Sequence, residues 1–104
     1  MKYHANNFIA VGEPVILSGI VISGPVGFTM TCDFRLTNKK IIMCAEDELR
    51  IIPLNQITEV MISSSRPNEL RFATSKRDFY IQLTADRAWS DQLVYEISKR
   101  IGNP

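Results

Sequence analysis

Three sets of side chains in this chain are of types that do chemistry: Cys32 and Cys44, the acidic run Glu46-Asp47-Glu48, and the single histidine, His4. A cysteine works as a nucleophile or redox centre through its thiolate, which needs a nearby cation or helix N-terminus to lower its pKa. Neither cysteine has that context here, and the two do not form a CxxC pair. They flank Asn38 at equal distances. A three-residue hairpin loop there would set them opposite each other, within bonding reach. A two-residue loop would put them on different faces. Both positions look apolar, so buried reduced thiols are the expectation. His4 lacks the convergent partners that a zinc site or a catalytic triad requires, and the N-terminal stretch around it reads as loose. The three acids could meet a hard cation, but a calcium loop spaces its ligands and includes a glycine, so a solvated turn is expected. Gly24 and Gly27 belong to no GxxxxGK[ST] or GxGxxG pattern and do not cradle phosphate. No catalytic residue, metal site or cofactor is expected, and the chain does not read as an enzyme.

The remaining candidates are binding groups. Lys39-Lys40 and Lys76-Arg77 form two small basic spots, readable as solvated turns or as weak contacts to lipid headgroups or an acidic partner. Pro25, Val26 and Phe28 form an apolar loop that either packs inward or meets a membrane or partner. Nucleic acid is excluded as a partner: 12 basic and 11 acidic residues leave a net charge of +1, and basic and aromatic residues do not interleave. No small-molecule substrate is expected either. No apolar run approaches the roughly 20 residues that span a bilayer, and the first residues lack a signal-peptide core. Cysteine usage fits a reducing compartment. The expected location is cytoplasmic, with a peripheral membrane position as the second choice.

These groups must be positioned by a chain of 104 residues, 45% of them apolar and 22% charged, which is the size and composition of one globular domain. Most of it reads as short strands. Pro14 to Ile22 is rich in valine and isoleucine, with Val15, Leu17, Gly19 and Val21 on one face. Phe28 to Leu36 alternates strictly, placing Phe28, Met30, Cys32, Phe34 and Leu36 toward a core. Thr37-Asn38-Lys39-Lys40 reads as a turn, since asparagine tolerates left-handed backbone angles. Ile41 to Ala45, Leu49 to Leu54 and Ile57 to Ser63 follow, and Pro53 marks a strand end or a sheet edge. Leu70 to Thr74 and Phe79 to Leu83 alternate around Ser75-Lys76-Arg77-Asp78. Asp86 to Ile101 reads as the only helix. Thr84 can cap it, Lys99 and Arg100 suit its last turn, and Gly102 and Pro104 end it. Trp89, Leu93, Ile97 and Ile101 make one apolar stripe, with Val94 beside it, and Trp89 reads as core.

Seven strands closed by one helix with an inward tryptophan resemble the pleckstrin homology (PH) superfold. Local motifs resemble its bacterial PH and GRAM-like branches: Phe34-Arg35-Leu36-Thr37-Asn38-Lys39-Lys40-Ile41-Ile42, Ile52-Pro53-Leu54-Asn55-Gln56-Ile57-Thr58-Glu59-Val60, Gly12-Glu13-Pro14-Val15 and Asn68-Glu69-Leu70-Arg71-Phe72. The resemblance covers about residues 12 to 101. It implies a mainly-β, PH-like partly open barrel of two orthogonal antiparallel sheets, about seven strands, capped by one C-terminal α-helix. It also implies a ligand mouth built from the loops at Ser23 to Gly27, Glu46 to Glu48 and Ser75 to Asp78. Phosphoinositide-binding members converge several cations there, whereas here the first loop has no basic residue and the second is acidic. A tight phosphoinositide site is therefore not expected. Residues 1–13 read as an N-terminal extension and 14–102 as the domain. The expected function is a non-catalytic binding module for protein–protein interaction or self-assembly. The alternative is a peripheral membrane module that contacts anionic lipid weakly through Lys39, Lys40, Lys76 and Arg77.

Overall fold

The computed structural model describes residues 4–23, 30–46, 48–62, 69–83 and 87–101. The strands are β1 (Val15–Ser23), β2 (Met30–Thr37), β3 (Lys40–Cys44), β4 (Leu49–Pro53), β5 (Ile57–Ile62), β6 (Glu69–Thr74) and β7 (Asp78–Leu83). One α-helix occurs among the described residues, α1 (Arg87–Ile101), and short 3-10 turns occupy Ala5–Phe8 and Leu54–Gln56. The strands lie in the order β4-β3-β2-β1-β7-β6-β5 with antiparallel pairing throughout. They form one continuous sheet. The two expected sheets are joined into one, because Val21, Ile22 and Ser23 of β1 pair with Leu83, Gln82 and Ile81 of β7. The outermost strands β4 and β5 do not pair with each other, so the barrel stays partly open. Pro53, which lacks an amide proton, ends β4 on that edge, as its chemistry requires.

Alternation decides the inner face. Cys32, Phe34 and Leu36 of β2 are buried, while Thr31 is exposed and Asp33 and Arg35 are half-buried. Val21, Ile41, Met43, Ile52, Ile57, Leu70, Phe72 and Ile81 add to the strand contribution to the core. The helix adds Leu93 and Ile97, both fully buried, with Trp89, Val94 and Ile101 packed at the margin. Trp89 points its indole at β1: Nε1 donates to the Ser18 carbonyl at 3.1 Å, and the ring meets Phe34 edge-on at 5.8 Å. A methyl group on Gly19 would lie 2.7 Å from Trp89 Cζ2, so only glycine lets the indole approach this closely. Thr84, Asp86, Gly102 and Pro104, read as helix boundary signals, lie outside the described residues.

Strand β3 departs from alternation because Ile41, Ile42, Met43, Cys44 and the adjoining Ala45 are all buried. Its outer face is covered by the N-terminal segment. Ala5 joins Ile42 and Cys44 in a second small core, against which Phe8, Ile9 and Leu49 pack. The expectation of a loose N-terminus is thereby corrected: a strand with apolar side chains on both faces needs a second cover, and the first turn provides it. His4 itself is exposed. The β2–β3 pairing, Phe34 with Met43 and Leu36 with Ile41, leaves a two-residue loop, Asn38-Lys39. Cys32 therefore faces the main core and Cys44 the small outer one, and the two are not joined by a disulfide. Burial raises both thiol pKa values, which disfavours the nucleophilic thiolate.

Candidate binding surfaces

The two basic turns are built alike. In Thr37-Asn38-Lys39-Lys40, the Thr37 hydroxyl oxygen accepts the N–H groups of Lys39 and Lys40, each at 3.1 Å. In Thr74-Ser75-Lys76-Arg77, Thr74 Oγ1 accepts those of Lys76 at 3.3 Å and Arg77 at 3.1 Å, and donates to the Arg77 carbonyl at 2.7 Å. The first turn does not use a left-handed asparagine, since no described residue other than glycine has positive φ. A threonine hydroxyl that closes its own turn replaces it.

Lys40 is committed elsewhere. Glu13, whose side chain is only 2% exposed, accepts hydrogen bonds from the Thr37 hydroxyl, the Ala10 N–H at 3.0 Å and Lys40 Nζ at 3.1 Å. These donors, led by Thr37, lower the Glu13 pKa to about 2. Gly12, at φ +84°, turns the chain so that Glu13 N–H reaches the Ala10 carbonyl at 3.0 Å, an arrangement that favours glycine at that position. The outcome is a carboxylate latch that ties the N-terminal segment to the β2–β3 turn. The sequence motif Gly12-Glu13-Pro14-Val15 gives Glu13 no bonding role; the sign of one is an acid beside the first strand with a threonine and a lysine in the turn after the second.

Chain direction puts the two basic turns at opposite ends of the barrel. β7 runs antiparallel to β1 with Ile81 opposite Ser23, so the β6–β7 turn lies toward the far end of β1, as does the β3–β4 connection. The β2–β3 turn lies at the other end. Lys39 and Lys40 are therefore not brought together with Lys76 and Arg77. At the β6–β7 end, Arg77 lies over the Phe79 ring at 4.6 Å and Arg50 of β4 approaches the same ring at 5.3 Å. Arg50 also faces Glu48 at 3.9 Å. Arg50 was not singled out from the sequence, where one arginine in a strand gives no sign of facing another strand's aromatic ring. Pro25, Val26 and Phe28 lie outside the described residues.

The outer face of β5, β6 and β7 carries a different surface. Register places Met61, Arg71 and Tyr80 in one cross-strand row. Met61 is 40% and Tyr80 49% exposed. Arg71 lies between them, with Asp78 at 3.4 Å, Glu59 at 3.5 Å and the Met61 sulfur at 3.0 Å. No group of histidine, cysteine, aspartate or glutamate suited to a metal ion occurs among the described residues. No helix among them is long and apolar enough to cross a membrane.

No family model and no curated protein match the chain. Solved structures do. The C-terminal domain of an unknown protein from Leishmania infantum superposes with a TM-score of 0.74 at 13% identity, covering 89% of this chain and 88% of that one. The N-terminal PH domain of human ARAP2 gives 0.70 at 16% identity, with 82% and 77% covered. The DH/PH domain of human ARHGEF11, in its ternary complex with human RhoA and an inhibitor, gives 0.75 at 10% identity, with 89% of this chain and 30% of that one covered. At these identities the likeness is one of fold, and the fold is that of a PH-like domain.

Proposed function

We propose that this PH-like domain is a non-catalytic docking module that engages a protein partner through the outer face of β5, β6 and β7. The Met61–Arg71–Tyr80 row carries the proposal. Methionine, arginine and tyrosine are the residue types enriched at protein interfaces. Arg71 is already held by Glu59 and Asp78, so less side-chain freedom is lost when a partner covers it. The contrast within one sheet adds support: the outer face of β3 is closed by the N-terminal turn, whereas Met61 and Tyr80 stay open. The ARHGEF11 DH/PH domain was solved together with RhoA, so a domain of this fold does occur in a protein assembly.

The test is affinity capture from the source cells with wild-type and Met61→Ser/Tyr80→Ser baits of equal circular dichroism. Proteins retained by the wild type and lost by the variant are expected. Identical captured sets would remove the outer face from consideration. Sedimentation velocity of the purified chain decides whether a second copy is the partner: a concentration-dependent dimer abolished by the same variant is the signature of self-assembly.

A second reading, weak binding to anionic membrane, draws support from Arg50 and Arg77 converging on Phe79 near Lys76. Lys39 and Lys40 do not share in it, because Lys40 is bound by Glu13 and both lie at the other end. Salt-sensitive sedimentation with phosphatidylserine vesicles that is weakened by Arg77→Ala is its expected result; no binding at low salt would sink it. Either role fits a cytoplasmic protein.

A further inference from the structure

We infer that the cleft between the β2–β3 turn, the Leu54–Gln56 turn and the last turn of α1 is a binding site for a small organic anion with an apolar body. The cleft has a volume of 530 Å³ and is lined by Asn38, Lys39, Pro53, Leu54, Asn55, Ile57, Arg100 and Ile101. That volume lies within the range of small-molecule sites. Two cations and two carboxamides line it, and no acid does so among the described residues.

Leu54 and Ile57, 6% and 4% exposed, form a fixed apolar floor, with Pro53 and Ile101 half-buried at the sides. The walls are tied together, since Leu54 N–H donates to the Lys39 carbonyl at 2.9 Å. Arg100 is preorganised as well. Its Nη1 donates to the Glu96 carboxylate at 2.6 Å and to the Glu96 carbonyl at 2.9 Å, which fixes the guanidinium plane and leaves other N–H groups to reach a ligand. The negative end of the helix opposes an anion with about half a charge and the Glu96 carboxylate offsets Arg100, so Lys39 supplies the uncompensated cation while Arg100 supplies directed N–H donors. An oxyanion between Lys39 and Arg100 with an apolar group over Leu54 and Ile57 satisfies both halves of the lining. The lining includes neither Arg50 nor Arg77, and the site does not rest on the protein-docking reading.

The experiment is an amide NMR titration of the whole chain with phenyl phosphate, and with inorganic phosphate and phenol as its separate halves. Saturable shifts confined to residues 38–39, 54–57 and 100–101 are expected, with each half weaker by at least about tenfold. Phenylacetate in place of phenyl phosphate tells a carboxylate ligand from a phosphate one, and saturable binding of either supports the site. Lys39→Ala, an exposed substitution, should weaken binding by at least about fivefold without changing the apo spectrum elsewhere. Inorganic phosphate as effective as phenyl phosphate, shifts centred on Arg50 and Arg77, or the absence of saturation would each overturn the inference.

Discussion

Glu13 and Gly19 each occupy a place that their nearest chemical relatives cannot fill. Glutamine at position 13 would keep the shape but lose the charge that Lys40, Thr37 and Ala10 N–H all address. Hydrogen bonds to a charged group contribute about 1.5–3 kcal/mol, so Glu13→Gln is expected to destabilise by about that amount in urea titration. The pH dependence follows from the lowered pKa. The latch is at full strength above the ordinary carboxylate value of 4.5 and is lost as pH falls toward about 2. Stability measured across that window should fall in the wild type, and the Glu13→Gln profile should be flatter there. Gly19→Ala pushes a methyl group to 2.7 Å from the indole, which must shift and strain its bond to Ser18. A loss of about 1–3 kcal/mol is expected, measured by far-ultraviolet circular dichroism in urea.

Turns and the N-terminal segment set the behaviour of the elements. Thr37 and Thr74 close equivalent hairpins, but only Thr37 also serves Glu13 and is fully buried. Thr37→Val should therefore cost more than Thr74→Val, for which about 0.5–1.5 kcal/mol is expected from one neutral hydroxyl network. Equal costs in thermal unfolding would mean that the latch adds nothing. The N-terminal turn covers Cys44 but not Cys32. Phe8→Ala should accordingly speed alkylation of Cys44 in the folded protein and leave Cys32 slow, read by mass spectrometry of labelled peptides. Strand positions and the helix were legible because periods of two and 3.6 survive in Cys32-Phe34-Leu36 and in Trp89-Leu93-Ile97. The cover over β3 was not read, although Ile41 to Ala45, apolar without a break, is the pattern of a strand buried on both faces.

At the scale of the molecule, one sheet curls around its main core, carries a small second core on its outer face and leaves its two edge strands apart, with the cysteines on opposite sides of the wall. The melting temperature should consequently be the same with and without reductant, and a shift would reveal pairing that this register forbids. The fold class was readable because local patterns add up along the chain. The surfaces were not. Met61, Arg71 and Tyr80 are ten and nine residues apart in sequence and become neighbours only through two registers. Arg50 and Arg77 meet at Phe79 only because the curl of the sheet brings a β4 side chain within reach of a β7 ring. The grouping of Lys39, Lys40, Lys76 and Arg77 as one basic set shows the same limit from the other side, since topology separates what charge alone would pool.

The indole that closes the barrel is also the chain's sole tryptophan, which makes the fold optically self-reporting. Its emission comes from a half-buried ring wedged between α1 and β1, so a red shift signals the helix leaving the sheet and little else. Emission that shifts at lower denaturant than the β-sheet dichroism decays would reveal a helix that lifts before the barrel opens. Coincident curves would show that the barrel and its cap melt as one cooperative unit.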